Sequence, residues 1–269
     1  MAAIRLRLVA AIVVFLGAGV VIGGARAQLR MGFYEESCPA AERIVGEYVR
    51  QHVRRVPTVA AALLRLHYHD CFVRGGPTWR VATGRRDGTV SRMEEALAEI
   101  PSPAMSFQEL AALFATKGLT VRDLVWLSGA HTIGIAHCSS FADRLYAGAT
   151  DPNANTTTDP PPLDAAFAAN LRDRKCRTAG DGVVEMDPGS HLTFDLSYYR
   201  GVLKHRCLLR SDAALVTDAA ARADIAGVVD SPPEVFFQVF GRSMARLGMV
   251  QVKTGSEGEI RRNCAVVNS

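Results

Sequence analysis

The sequence predicts a mostly α-helical domain behind a cleavable leader, and three observations carry that reading. Several segments repeat apolar residues at helical spacing, and two of them open on capping boxes, Ser106 with Glu109 and Thr120 with Asp123. Strand signals are few and short, at Val183-Val184, Val250 to Val252 and Glu259-Ile260. Beyond the leader no stretch approaches the roughly 18 uncharged apolar residues of a membrane span, and no internal repeat is visible.

The leader is read at residues 1–27. Arg5 and Arg7 form a positive start, Leu8 to Val21 an apolar run, and Gly24 to Ala27 a small-residue cleavage position that leaves Gln28 first. After a short extended start at Leu29 to Tyr34, Ala40 to Arg54 reads as an amphipathic helix with Ile44, Val45 and Tyr48 on one side, broken by Pro57. A central helix follows from Val59 to Cys71, and the chain turns at Arg74 to Pro77. Trp79 to Ala82 reads as extended, Gly84 to Gly88 as a turn, and Pro101 to Pro103 as a rigid exposed bend.

The first capping box starts a helix to Lys117 closed by Gly118; the second starts one that ends near Ser128-Gly129. His131 to Tyr146 is expected to be helical or nearly so, and Asp151 to Pro162 to be a loop. Further helices are expected at Asp164 to Arg174, Leu196 to Lys204, Ala219 to Val229 and Pro233 to Leu247.

Composition excludes some classes of function. The formal net charge of +4 falls to +1 once Arg5, Arg7 and Arg26 leave with the leader, and no basic stripe with interleaved aromatics remains for a nucleic acid. Secretion makes the cysteines (Cys38, Cys71, Cys138, Cys176, Cys207 and Cys264) disulfide candidates, and their wide spacing argues against a zinc module. Asn155-Thr156-Thr157 is a glycosylation acceptor.

Two stretches carry chemistry. On the central helix Arg65 and His69 are four residues apart and project toward one point, a cation beside a proton carrier. Ala61, Ala62 and Leu66 flank them, which favours a cavity lining over an exposed basic face. The second stretch centres on His131, just after the small residues Gly129 and Ala130, where a flat ligand could approach the backbone. Taken alone, a histidine at a helix end is more often a satisfied core or cap residue than a metal ligand.

Together these stretches change the reading. Arg65 to Gly75 (Arg-Leu-His-Tyr-His-Asp-Cys-Phe-Val-Arg-Gly) and Asp123 to Gly134 (Asp-Leu-Val-Trp-Leu-Ser-Gly-Ala-His-Thr-Ile-Gly) resemble the distal and proximal haem motifs of secreted plant (class III) haem peroxidases. The similarity extends in order to Phe33 to Pro39, Gly76 to Arg80, Gly84 to Gly88, Phe194-Asp195, Tyr198-Tyr199, Ser211-Asp212 and Gly258 to Cys264.

The resemblance implies a two-lobed fold over residues 28–269, with haem b between a distal and a proximal helix. His131 is then the axial iron ligand and Asp212 the carboxylate that takes its other N–H. His69 and Arg65 are the catalytic pair acting on hydrogen peroxide, and Pro101 matches a contact for small phenolic donors. Thr132, Asp187, Ser190, Thr193 (through its carbonyl) and Asp195 map to a proximal calcium site, with Ser190 where threonine is usual. Cys138 and Cys176 match a disulfide, and Tyr68 stands where phenylalanine shields the haem. Trp79 and Trp126 read as core, and His52, His67, His137, His191 and His205 as surface or packing residues. No sign of an oligomer is present, so a monomer is expected. Export to the extracellular space, cell wall or vacuole, and roles in oxidative stress and hydrogen peroxide catabolism, are what the resemblance implies.

One departure is large. In the family a long segment with two helices separates the end of the distal motif from Gly-Gly-Pro; here Gly75 runs directly into Gly76. The distal calcium set keeps only Asp70 and the carbonyls of Val73 and Gly75, too few ligands for a strong site. The asparagine that would orient His69 is missing, and so is the aspartate that would pair with Arg85. Cys38, Cys71 and Cys264 lose their partners, Cys207 adds an odd thiol, and Cys38 with Cys264 is a candidate new pair. An active peroxidase is the leading expectation; the alternatives are a catalytically impaired haem-binding protein and an unstable product of an aberrant gene model.

Overall fold

The computed structural model describes residues 29–67, 81–146, 160–178, 180, 182–263 and 265–268, with the side chains at 65–67 and 96 excepted. Eleven α-helices are assigned among these residues: α1 (Ala41–Arg55), α2 (Thr58–His67), α3 (Met93–Glu99), α4 (Phe107–Thr116), α5 (Val121–Ser128), α6 (Ala142–Tyr146), α7 (Ala165–Arg174), α8 (Ser197–Leu203), α9 (Arg210–Ala214), α10 (Ala219–Val229) and α11 (Pro233–Leu247). Two short antiparallel strands, β1 (Ile135–His137) and β2 (Val183–Glu185), pair with Ala136 opposite Val184. The expected mostly α architecture is therefore the observed one.

Local chemistry explains most boundaries. Both capping boxes form: Ser106 accepts from the Glu109 amide and Thr120 from the Asp123 amide, while each acid reaches back to its cap's backbone N–H. Gly118 follows α4 at φ +70°, the left-handed turn that glycine permits. At the starts of α7 and α10 the Asp164 and Asp218 side chains accept from the Phe167 and Ala221 amides.

Two apolar clusters organise the chain. In the larger one, Phe236, Phe240 and Met244 of α11 pack with Tyr199 and Val202 of α8, Leu124 to Trp126 of α5 and Ile225 of α10. Asp123 ties α5 to α11 inside it, accepting from Ser243 Oγ at 2.7 Å and Arg246 Nη1 at 2.9 Å. Trp126 is buried there as expected, and Val53 and Leu64 bring in α1 and α2. The smaller cluster gathers Phe141, Leu145, Leu171, Val184 and Leu208 around the Cys138–Cys176 disulfide, the pairing the resemblance implied.

Several expectations need correction. Residues 131–146 do not form one helix: a 3-10 turn over Gly129–Thr132 leads to β1, a second 3-10 turn over Cys138–Ser140 and then α6. The cause is Gly134, at φ +103°, whose N–H donates to His191 and whose carbonyl accepts from Met186, steering the chain onto β2. Val250 to Val252 is a turn with Gln251 at φ +48°, and Glu259 makes only an isolated bridge to Asp87. Helices α3 and α9 were not expected at all. The apolar side of α1 is exposed, with Ile44 at 55%, Val45 at 61% and Tyr48 at 62%, because the helix buries Gly46 and Val53 instead.

Candidate haem-ligand site

Helix α5 and its 3-10 extension deliver His131 to the edge of the larger cluster. Gly129 matters here for a reason other than ligand approach. A Cβ on it would lie 2.6 Å from the Tyr199 hydroxyl and 2.7 Å from the Phe236 ring, so its bareness lets α8 and α11 close against the turn. Tyr199 uses that closeness, donating to the carbonyls of Val125 at 2.9 Å and Trp126 at 3.3 Å.

Helix α9 delivers the partner. His131 Nδ1 lies 2.8 Å from Asp212 Oδ1, and this pair joins residues 81 positions apart. Asp212 is almost fully enclosed, at 2% exposure, while the His131 side chain is 38% exposed. Burial works against protonation of His131, but the Asp212 charge and the hydrogen bond outweigh it and raise the histidine above its ordinary value. With Nδ1 committed to Asp212, Nε2 at the far edge of the ring is the nitrogen left to ligate.

A second donor reaches the same oxygen. Tyr198 Oη donates to Asp212 Oδ1 at 2.8 Å, and burial together with the Asp212 charge pushes the phenol well above its usual range, so it remains a donor. Asp212 Oδ2 is buried with no partner among the described residues. Leading into α9, the carbonyls of Cys207, Leu208 and Leu209 all accept from Arg144 Nη1, at 2.7, 2.9 and 3.0 Å. Cys207 is a buried free thiol, pushed up to about 12 mainly by burial.

The oxygen-bearing residues singled out beside His131 also converge. Thr132 Oγ1 donates to Asp187 Oδ2 at 3.1 Å and is 3.4 Å from Asp195 Oδ1, and Ser190 Oγ donates to Asp187 Oδ2 at 2.9 Å. Thr193 N–H donates to the Ser190 carbonyl at 2.7 Å. Burial raises the Asp187 carboxyl, and the nearby Asp195 charge adds to the effect. Among the described residues no group of three or more His, Cys, Asp and Glu gathers in the manner of a metal cluster.

Pro101 is half-buried, and two residues on, the Pro103 carbonyl accepts from Ser211 N–H at 2.9 Å beside Asp212. The Arg65 side chain and His69, Asp70, Val73 and Gly75 lie outside the described residues, as do residues 1–28, Cys71, Trp79, Asn155 and Cys264. Cys38 is a free, exposed thiol, and its suggested partner Cys264 lies outside the described residues. Arg85 donates to the carbonyls of Gly248 and Ala82. His52 stacks on Tyr48 and His191 lies 3.5 Å from Glu185; His137 and His205 are exposed.

A profile of the family described as "Peroxidase" matches residues 73–231, more than half of the chain. The chain belongs to the peroxidase family. It is similar to Peroxidase 3 of Arabidopsis thaliana, 41% identical over 318 aligned positions that cover 93% of this chain and 95% of the relative. Peroxidase 39 of the same plant is 42% identical over 311 positions, covering 90% and 93%. Peroxidase 30, also from Arabidopsis thaliana, is 38% identical over 334 positions, covering 100% and 99%. Membership makes the protein an oxidoreductase that uses hydrogen peroxide with a reducing substrate, and it implies a haem cofactor. The His131–Asp212 pair fits that group: one partly open imidazole, its inner nitrogen held by a carboxylate, is the single protein ligand a haem iron needs. Among the described residues no helix is long and apolar enough to cross a membrane.

Proposed function

We propose that this peroxidase reduces hydrogen peroxide with haem b held on His131, and oxidises small phenolic donors one electron at a time. The observation that carries the reading is the 2.8 Å contact between His131 Nδ1 and Asp212. Bound haem would supply the redox iron that accepts two oxidising equivalents from peroxide.

Asp212 holds the Nδ1 proton, which fixes the tautomer and makes Nε2 the more basic ligand. On the distal side His69 moves a proton from one peroxide oxygen to the other, and Arg65 stabilises the negative charge that grows on the leaving oxygen. Pro101 orients the phenolic donor. Thr132, Asp187, Ser190, Thr193 and Asp195 hold a calcium ion, a role supported by their convergent oxygens and by the two neighbouring carboxylates that a cation would neutralise. The protein works outside the cytoplasm, in the extracellular space, cell wall or vacuole, as residues 1–27 suggest, and takes part in hydrogen peroxide catabolism and the response to oxidative stress.

A second reading, a haem binder with an impaired distal side, is favoured by two observations. The match to Peroxidase 30 runs over 334 positions, 65 more than the chain has residues, which supports an internal segment missing between Gly75 and Gly76. The exposed apolar side of α1, together with Met93 and Leu97 of α3 at 71% and 72% exposure, is what the loss of a covering segment would leave.

The test is an absorption spectrum of the haem-reconstituted protein before and after one equivalent of hydrogen peroxide. A high-spin Soret band that shifts rapidly and returns when a phenol is added supports the enzyme. A resting band with no fast response supports the impaired binder, and no specific band overturns both.

A further inference from the structure

We infer that Tyr198 is a positioning residue for the peroxidase reaction, one that divides the acceptor strength of Asp212 Oδ1 and so limits how strongly Asp212 draws on the His131 proton. The inference rests on the reading of His131 as the iron ligand.

The geometry is that of two donors competing for one atom. His131 Nδ1 and Tyr198 Oη both lie 2.8 Å from Asp212 Oδ1, while Oδ2 is buried with no partner among the described residues. A buried carboxylate with one oxygen unpartnered concentrates its stabilisation in the bonds to the other. Each of those bonds withdraws charge from Oδ1, so strengthening one weakens the other. Tyr198 therefore acts on Nε2 of His131 through Asp212, two hydrogen bonds away.

Tyr198 is also held from several sides, which makes the division reproducible rather than incidental. Its backbone N–H donates to Asp187, its ring meets the His131 ring edge-on at 6.0 Å, and it packs against Tyr199 at 5.1 Å. It is 3% exposed, so no solvent competes for the hydroxyl. The phenol cannot rotate away from Oδ1 without breaking this packing.

The experiment uses the haem-loaded protein, Tyr198→Phe, and a variant carrying 3-fluorotyrosine at position 198, a slightly stronger donor with the same ring. The readouts are the iron–histidine stretching frequency of the ferrous form by resonance Raman and the ferric/ferrous reduction potential. Removing the hydroxyl leaves Oδ1 wholly to His131, so Tyr198→Phe is expected to raise the stretch and lower the potential. The fluorinated residue is expected to move both readouts the opposite way.

Unchanged readouts in both variants, or movement of both in one direction, overturn the inference. Should Tyr198→Phe fail to take up haem, the fluorotyrosine protein decides alone: a lowered stretch supports the proposal, and an unmoved or raised one overturns it. An unsubstituted protein that binds haem without an iron–histidine stretch overturns the His131 reading and this inference together. A normal stretch that neither variant moves removes only the role of Tyr198.

Discussion

The two ends of the chain use the same device, an amphipathic helix, with opposite results. Helix α11 lays Phe236, Phe240 and Met244 into a core shared with α5, α8 and α10, and all three are buried. Helix α1 has a comparable apolar row in Ile44, Val45 and Tyr48, yet every one of them is exposed. Amphipathic periodicity therefore states only that a helix has a face to cover; whether the face is covered depends on chain that lies far away in sequence.

The contrast is open to direct attack. The largest effect expected is at the site: His131→Ala removes the only proposed axial ligand, and both the histidine-ligated haem spectrum and turnover should vanish. His69→Ala should keep the spectrum while slowing the reaction with peroxide by about 10²–10⁴-fold. Stopped-flow absorbance separates the two, and equal losses of haem binding would break the assignment of sides.

Next comes packing. Phe236→Ala empties a fully buried position between Phe194, Tyr199 and Phe240 and should cost about 3–5 kcal/mol in a urea titration.

Acid should act through the same core. Burial opposes ionisation of Asp123, but bonds from Thr120 and Ser243 and the charge of Arg246 win, and its carboxyl is held below the usual range. A depressed folded value means that Asp123 contributes stability above the unfolded value of about 3.9 and loses it as pH falls through the folded one. Asp123→Asn should flatten that part of the stability profile. A profile unchanged by the substitution would take Asp123 out of the acid response.

The smallest effect is expected at Tyr48→Ser on the exposed side of α1, within about 0.5 kcal/mol. A cost near that of Phe236→Ala would show that something covers this face in solution, and would end the contrast with α11.

What could be read beforehand follows the range of the forces involved. The boxes at Ser106/Glu109 and Thr120/Asp123 are three-residue signals, and the helices they begin appear where expected. Helices α10 and α11 span the residues expected of them, Ala219–Val229 and Pro233–Leu247. The strand at Ile135–His137 was missed because it depends on Gly134 and on pairing with residues nearly 50 positions later. Helix α9 is too short to show a period, and the contact between His131 and Asp212 came from resemblance to a family, since no local rule connects them. Tyr198 stood in a quoted motif, but its bond to Asp212 had no signature of its own.

Arg144 shows how the carboxylate at the centre of the site is kept in place. Its guanidinium is bonded to carbonyls, those of Cys207, Leu208 and Leu209 on one nitrogen and Pro161 on the other, with no carboxylate in the set among the described residues. Dissolved ions screen a pair of opposite surface charges such as Arg122 and Asp224, but they have little hold on a half-buried cation gripping fixed peptide dipoles. The segment that aims Asp212 at His131 is therefore held by contacts that added salt does little to loosen.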